Sequence, residues 1–187
     1  MKNLIVGAVL SCVATSSWAD WQVAPDASTL AFTSTKNETI HEIHRFTQVS
    51  GGVSPDGKAS VIVALPSVDT MIPIRDERMG KHLFNTHPVA TYVADVSVAD
   101  VQKLVAGESR HVLLRGQLSI NGKTMDLPVA VVVAKQASGA VLVSGGGTLD
   151  VASLGFGGGI EALREIAGLA SISTDVNFSL RLTLVDQ

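Results

Sequence analysis

Six of the eight residues from Arg75 to His82 can carry charge, in a chain where charged residues make up only 17%. Arg75, Asp76, Glu77, Arg78, Lys81 and His82 fall in this short stretch, with Ile74, Met79, Leu83 and Phe84 interleaved. Such a segment has two uses. The cations can meet a polar group at the mouth of a pocket, or they can pair locally with Asp76 and Glu77 on a solvated helix face. Acid–base work by a carboxylate pair is disfavoured, because adjacent residues on a helix do not converge on one site.

Other chemistry finds little support. The runs Gly145-Gly146-Gly147 and Gly157-Gly158-Gly159 lack a following Gly-Lys-Ser/Thr and lack dinucleotide-binding spacing. The first fits a strand that bends or lets two backbones approach closely. His41 and His44 are three apart, which puts them on opposite faces of a strand. The five histidines read as scattered surface residues, and no metal site is expected. There is no Gly-x-Ser-x-Gly elbow. No catalytic residue and no cofactor are assigned.

The elements that must carry these residues are mostly strands. Val112, Leu114, Gly116, Leu118 and Ile120 alternate with polar neighbours, as do Val176, Phe178, Leu180, Leu182 and Leu184. One apolar and one wet face is the antiparallel pattern. Asn121-Gly122 predicts a tight hairpin, and Pro55-Asp56-Gly57 a second turn. Strands are expected at 28–35, 41–50, 59–65, 89–98, 112–120, 125–135, 139–149 and 176–184. About eight strands in series form a meander that can close into a barrel. Two helical segments interrupt it, 75–84 and 160–169. The second places Ile160, Leu163, Ile166 and Ala167 on one apolar face, after the Gly157–Gly159 run and before Gly168.

The first 19 residues read as an export signal. Lys2 precedes the apolar run Leu4 to Leu10, and Ser17-Trp18-Ala19 supplies small residues for cleavage. The run is too short to span a membrane. Cleavage after Ala19 leaves 168 of the 187 residues as one domain, 20–187, without Cys12, the single cysteine. Loss of Lys2 takes the formal net charge from −3 to −4. With no basic run, nucleic acid and anionic membrane surfaces are excluded as partners. A membrane barrel is disfavoured, since aromatic residues are only 4% and cannot supply two interfacial girdles.

Three stretches carry a family resemblance. Trp21-Gln22-Val23-Ala24-Pro25-Asp26-Ala27-Ser28-Thr29-Leu30-Ala31-Phe32 resembles the opening strand of the YceI-like family. Val68-Asp69-Thr70, Arg75-Asp76, Leu83-Phe84 and His87-Pro88-Val89-Ala90-Thr91 follow the order of its central signature. Leu118 to Thr124 resembles its hairpin. The resemblance spans essentially the whole chain after the signal. It implies a mainly β, extended lipocalin-like eight-stranded antiparallel barrel with one or two short helices. It also implies a periplasmic protein, not an enzyme, that holds a long-chain lipid such as a polyisoprenoid, a quinone-like molecule or a fatty-acyl amphiphile. A homodimer is compatible with this picture.

The ligand-binding residues expected on that basis are Phe32, Phe46, Arg75, Arg78, Met79, His82, Phe84, Tyr92, Phe156, Leu163 and Phe178. Arg75, Arg78 and His82 would sit at the mouth. Two departures stand out: the second strand, Ile40-His41-Glu42-Ile43-His44-Arg45-Phe46, is unusually charged, and the helix after Gly159 is lengthened. Two other classes remain open from the residues alone, a small periplasmic enzyme with a site at the barrel mouth and a filled-core stress or interaction barrel.

Overall fold

The computed structural model describes residues 21–186. The expected signal segment and Cys12 lie outside them.

In chain order the strands are β1 (Trp21–Val23), β2 (Thr29–Lys36), β3 (Ile40–Phe46), β4 (Val49–Val53), β5 (Lys58–Ala64), β6 (Val68–Asp69), β7 (Val89–Asp95), β8 (Ser109–Ile120), β9 (Lys123–Lys135), β10 (Val141–Asp150) and β11 (Asp175–Asp186). Three α-helices join them: α1 (Pro73–Met79), α2 (Val98–Gln102) and α3 (Gly157–Ala167). All strand pairs are antiparallel.

The sheet closes. The ring runs β1-β4-β5-β7-β8-β9-β10-β11 and returns to β1. β2, β3 and β6 extend it at one end. β1 and β2 share β11 as a partner, at Leu184–Asp186 and Asn177–Arg181 respectively. They are two parts of one wall position, interrupted by the short 3-10 turn Pro25–Ala27. β3 with β4, and β5 with β6, are likewise paired halves. The result is eight wall positions in meander order, as the alternation and turn spacing predict.

The expected single strand over 41–50 is broken at Thr47 and Gln48. There the neighbouring wall turns through the 3-10 segment Leu65–Ser67, and both backbone N–H groups go to Ser67, one to its carbonyl and one to its hydroxyl. The expected strand 89–98 stops at Asp95. Ser97 caps α2 by accepting a hydrogen bond from the Asp100 backbone N–H. Val98, Val101 and Leu104 then pack on the buried cluster of Trp21, Val131, Val141 and Leu184 and floor the barrel.

The opposite end carries the expected helical segments. α1 begins two residues earlier than expected, with Pro73 in its first turn, and runs on into a π-helical turn, Gly80–Phe84. α3 begins within the glycine run rather than after it, and ends at Gly168 in a left-handed conformation, φ 63°. A Cβ at Gly159 would collide with the His82 carbonyl oxygen and with Leu83, so glycine is what lets α3 lie on the π-helical turn. In β10 a Cβ at Gly145 or Gly146 would strike the backbone of β9 or β11. That run is a close approach of strands, not an anion loop.

Asp76 fastens α1 to the barrel. Its carboxylate accepts hydrogen bonds from the backbone N–H and hydroxyl of Thr70, a residue only 3% exposed. Removing it strands a buried polar pair. Asp76→Ala should cost about 1–3 kcal/mol of stability, read as a lower urea midpoint at unchanged slope, with ligand uptake by the surviving folded protein little altered. A strong loss of uptake at unchanged stability would place Asp76 in the binding site instead.

Candidate functional site

Alternation puts one face of every strand inside, and those faces do not fill the barrel. A cavity of about 530 Å³ remains. It runs from Trp21, Val141 and Leu184 at the floor to Leu169, Ile172 and Val176 beneath α3. On β11 the whole predicted apolar set, Val176 through Leu184, lines it. The filled-core alternative does not describe this barrel.

Four phenylalanines from four parts of the chain form a contiguous row along the cavity. Ring centroids lie 5.3 Å apart for Phe32 and Phe46, 6.2 Å for Phe46 and Phe84, and 6.2 Å for Phe84 and Phe156. These separations are in the range of favourable edge and tilted contacts. They tie β2 and β3 to the π-helical turn and to the start of α3. Tyr92 donates its hydroxyl to the Leu127 carbonyl at 3.0 Å, so its polar end is satisfied by the wall rather than by the cavity.

The cavity meets solvent between α1 and the last turn of α3. Ile72, Ile74 and Ile166 line it and are nonetheless 45%, 51% and 44% exposed. An apolar rim of that kind is unusual on water-facing surface.

One side of the cavity is polar. Ser34 and Lys36 on β2, His44 on β3, and Arg75 and Arg78 on α1 all line it. The register explains the strand members: Phe32 opposes His44 and Ser34 opposes Glu42, so the inward sequence of β2 passes from phenylalanine to serine to lysine toward the rim. Glu42 pairs with Lys36 and accepts from Arg75 Nη1 at 2.7 Å, while Arg75 Nη2 donates to the Thr70 carbonyl at 2.6 Å. The Lys36 hydrogen bond foremost, aided by the Arg75 charge, holds the Glu42 carboxyl below its ordinary value.

His44 is 3% exposed, with Nε2 2.9 Å from the Ser34 hydroxyl and its ring edge-on to Phe32. Burial, and then the charge of Arg75, pull its imidazole below 6.5. Two buried nitrogens have no hydrogen-bond partner among the described residues, His44 Nδ1 and Arg75 Nε.

Ten of the eleven residues expected at the site line the cavity: Phe32, Phe46, Arg75, Arg78, Met79, Phe84, Tyr92, Phe156, Leu163 and Phe178. His82 does not. It sits on the π-helical turn, where the backbone packs under Gly159 and Leu83 takes the inward place. His44 is the correction in the other direction. It was grouped with surface histidines, yet it is buried on the inward face, while His41 points outward to Thr35. Phe46, two residues on, carried the signal for His44; Lys36 and Ser34 follow Phe32 by the same rule. Among the described residues no group of three or more His, Cys, Asp or Glu is arranged to hold a metal ion.

The sequence model of the YceI-like domain family matches residues 21–184. Comparison with curated proteins finds no match. Among solved structures, a polyisoprenoid binding domain from Saccharophagus degradans implicated in plant cell wall breakdown is 31% identical. It superposes with a TM-score of 0.88 over 91% of this chain and 100% of its own. Burkholderia cenocepacia BcnA is 20% identical, with a TM-score of 0.66 over 86% of this chain and 98% of its own. A YCEI protein of Campylobacter jejuni is 15% identical, with a TM-score of 0.51 over 82% and 84%. The last two share the fold.

A buried histidine whose folded pKa is depressed binds fewer protons than the same histidine in the unfolded chain. Stability is therefore complete above 6.5 and falls as pH drops from there through the folded pKa. The His44 ring should titrate below 6.5 by NMR, and the melting temperature should fall on acidification over that window, less so in His44→Phe. A His44 midpoint at or above 6.5 would contradict the buried neutral ring.

Proposed function

The chain belongs to the YceI-like domain family, and on that premise we propose that it is a periplasmic carrier holding one long-chain lipid inside its barrel. The observation that carries this reading is the cavity itself. It is enclosed by a sheet without a free edge around the ring, floored by α2 and its flanks, and walled almost entirely by aliphatic and aromatic side chains. An extended apolar chain suits it, whether polyisoprenoid, quinone-like or fatty-acyl. The polyisoprenoid binding domain of S. degradans, at 31% identity, supports the first of these.

Affinity follows from area. Each buried methylene contributes about 0.8 kcal/mol, so ten to fifteen of them give roughly 8–12 kcal/mol before the entropy of binding is subtracted. Few polar contacts are needed, and a preformed dry cavity keeps the ordering cost low. The periplasmic setting rests on the export-signal pattern, Lys2, Leu4–Leu10 and Ser17-Trp18-Ala19. No helix among the described residues is long and apolar enough to cross a membrane.

Binding rather than turnover is the reading the polar residues favour. Asp76 is engaged with Thr70, Arg75 with Glu42 and the Thr70 carbonyl, and His82 lies off the cavity wall. They do not converge as an acid, a base and a nucleophile would.

Native mass spectrometry of the protein purified from an exporting host, followed by organic extraction, should reveal one bound lipid per chain. Leu180 faces the cavity from the middle of β11, and Leu180→Trp should fill the space there, reducing occupancy at least about tenfold while keeping the fold, because overpacking a wall beside a void has room to relax. Protein free of lipid that also takes up neither added isoprenoid nor fatty acid would sink the proposal.

A further inference from the structure

The cavity wall is asymmetric in charge. Three cations line it, Lys36, Arg75 and Arg78, and no aspartate or glutamate does. Glu42, opposite Ser34 on the same face, pairs with Lys36 and Arg75 and neutralises one positive charge between the two, and Asp76 on Thr70 adds a second carboxylate whose charge reaches His44. Arg78 is exposed on its outer side and has no ion-pair partner among the described residues. The wall is thus left with an excess of positive charge in an otherwise apolar space.

The same place holds two buried nitrogens without partners, Arg75 Nε and His44 Nδ1. Native proteins rarely leave such groups unsatisfied, and each one asks what bonds it. Arg75 Nε is always an N–H donor. His44 Nδ1 is a donor in the tautomer whose Nε2 accepts from the Ser34 hydroxyl, 2.9 Å away. Both side chains are already positioned by Ser34, Glu42 and Thr70, so little ordering is left to be done on binding.

Height in the barrel is informative too. His44 lies on β3 two residues from Phe46, and Arg75 stands on α1, three residues after Ile72 and next to Ile74 of the exposed rim. A ligand with its tail along the phenylalanine row and down to Trp21 and Val141 places its head beside them.

We propose that Lys36, His44, Arg75 and Arg78 form a head-group subsite for an oxyanion, a carboxylate or a phosphate, on the carried lipid. The inference rests on the lipid-carrier reading and adds to it the ligand's head chemistry and its orientation, head under the rim and tail to the floor. A cationic head is disfavoured by the charge excess. A hydroxyl head binds more weakly, since charge-assisted bonds are roughly twice as strong as neutral ones.

The test is competition against a neutral apolar fluorophore, N-phenyl-1-naphthylamine, with two matched pairs of ligands: palmitate against hexadecanol, and farnesyl monophosphate against farnesol. Wild-type protein should prefer the anionic member by about tenfold or more. The preference should shrink to about threefold or less in Arg78→Gln, whose exposed side chain makes it a fold-neutral change, and in His44→Phe, with folding checked by circular dichroism. Preference in only one pair supports the subsite and identifies its oxyanion. Equal binding of acid and alcohol by the wild type overturns the subsite while leaving the carrier intact. An undiminished preference in Arg78→Gln also overturns it. Failure of all four ligands to displace the fluorophore, or of the fluorophore to bind, would instead remove the carrier reading beneath it.

Discussion

The interior exists because β11 reaches back to β1. Trp21 pairs with Asp186, Gln22 with Val185 and Val23 with Leu184, and these three rungs convert a curled sheet into a ring. Without them β1 and the last residues of β11, Leu184–Asp186, would present unpaired edges, a template for association with other chains. Closure also decides what the alternation means. In an open sheet the apolar faces of β8, β9 and β11 would need a second layer to cover them. In a ring they cover one another, and eight wall positions are enough to leave space between. The three divided wall positions serve the same end. By dividing into β1 and β2, β3 and β4, and β5 and β6, the wall keeps its ring through β1, β4 and β5 and extends through β2, β3 and β6 toward α1 and the polar residues.

That extension has a thermodynamic consequence. Lys36, His44 and Arg75 are inside a barrel whose other lining is hydrocarbon, and desolvating them is costly. Glu42, Ser34 and the Thr70 carbonyl offset part of the cost, and Asp76 secures Thr70 in turn. The chain of contacts runs from β2 through β3 to α1, so the polar wall and the attachment of the lid are one network. It is not the cheapest way to fix a helix to a barrel; apolar packing would serve as well. Its cost argues that the buried polarity is there for something inside the cavity.

The architecture was readable because its signal is periodic and local. Alternation in β8 and β11, the Asn121-Gly122 turn with φ of 51° and 71°, and the left-handed Gly168 all follow from short stretches. What escaped depends on partners distant in sequence. Nothing near Thr47 says that its neighbour turns away at Leu65. α2 was hidden by a valine-rich stretch that resembles strand, although Ser97 ahead of Asp100 is a helix start. His82 belongs with Arg75 and Arg78 as a cation of one charged segment, but the winding past Met79 changes to π, which rotates every later side chain. His44 shows the opposite failure: its face was legible two residues from Phe46, but its residue type argued for the surface.

Head and tail divide the work of recognition between them. The apolar length of the cavity supplies affinity in proportion to buried area, and area is indifferent to direction, since a hydrocarbon chain buries as well entering from either end. Area is also nearly indifferent to identity among chains of similar bulk, because one methylene more or less is worth only about 0.8 kcal/mol. Direction and identity need a feature that is local and costly to mismatch. A partly neutralised cluster of cations with donors to spare is such a feature, as an incorrect head would leave it desolvated and unsatisfied. The apolar rim of Ile72, Ile74 and Ile166 lies outside that cluster, so a ligand leaving the barrel draws its head past the rim first and its tail last. A carrier built this way holds its cargo by the tail and selects it by the head.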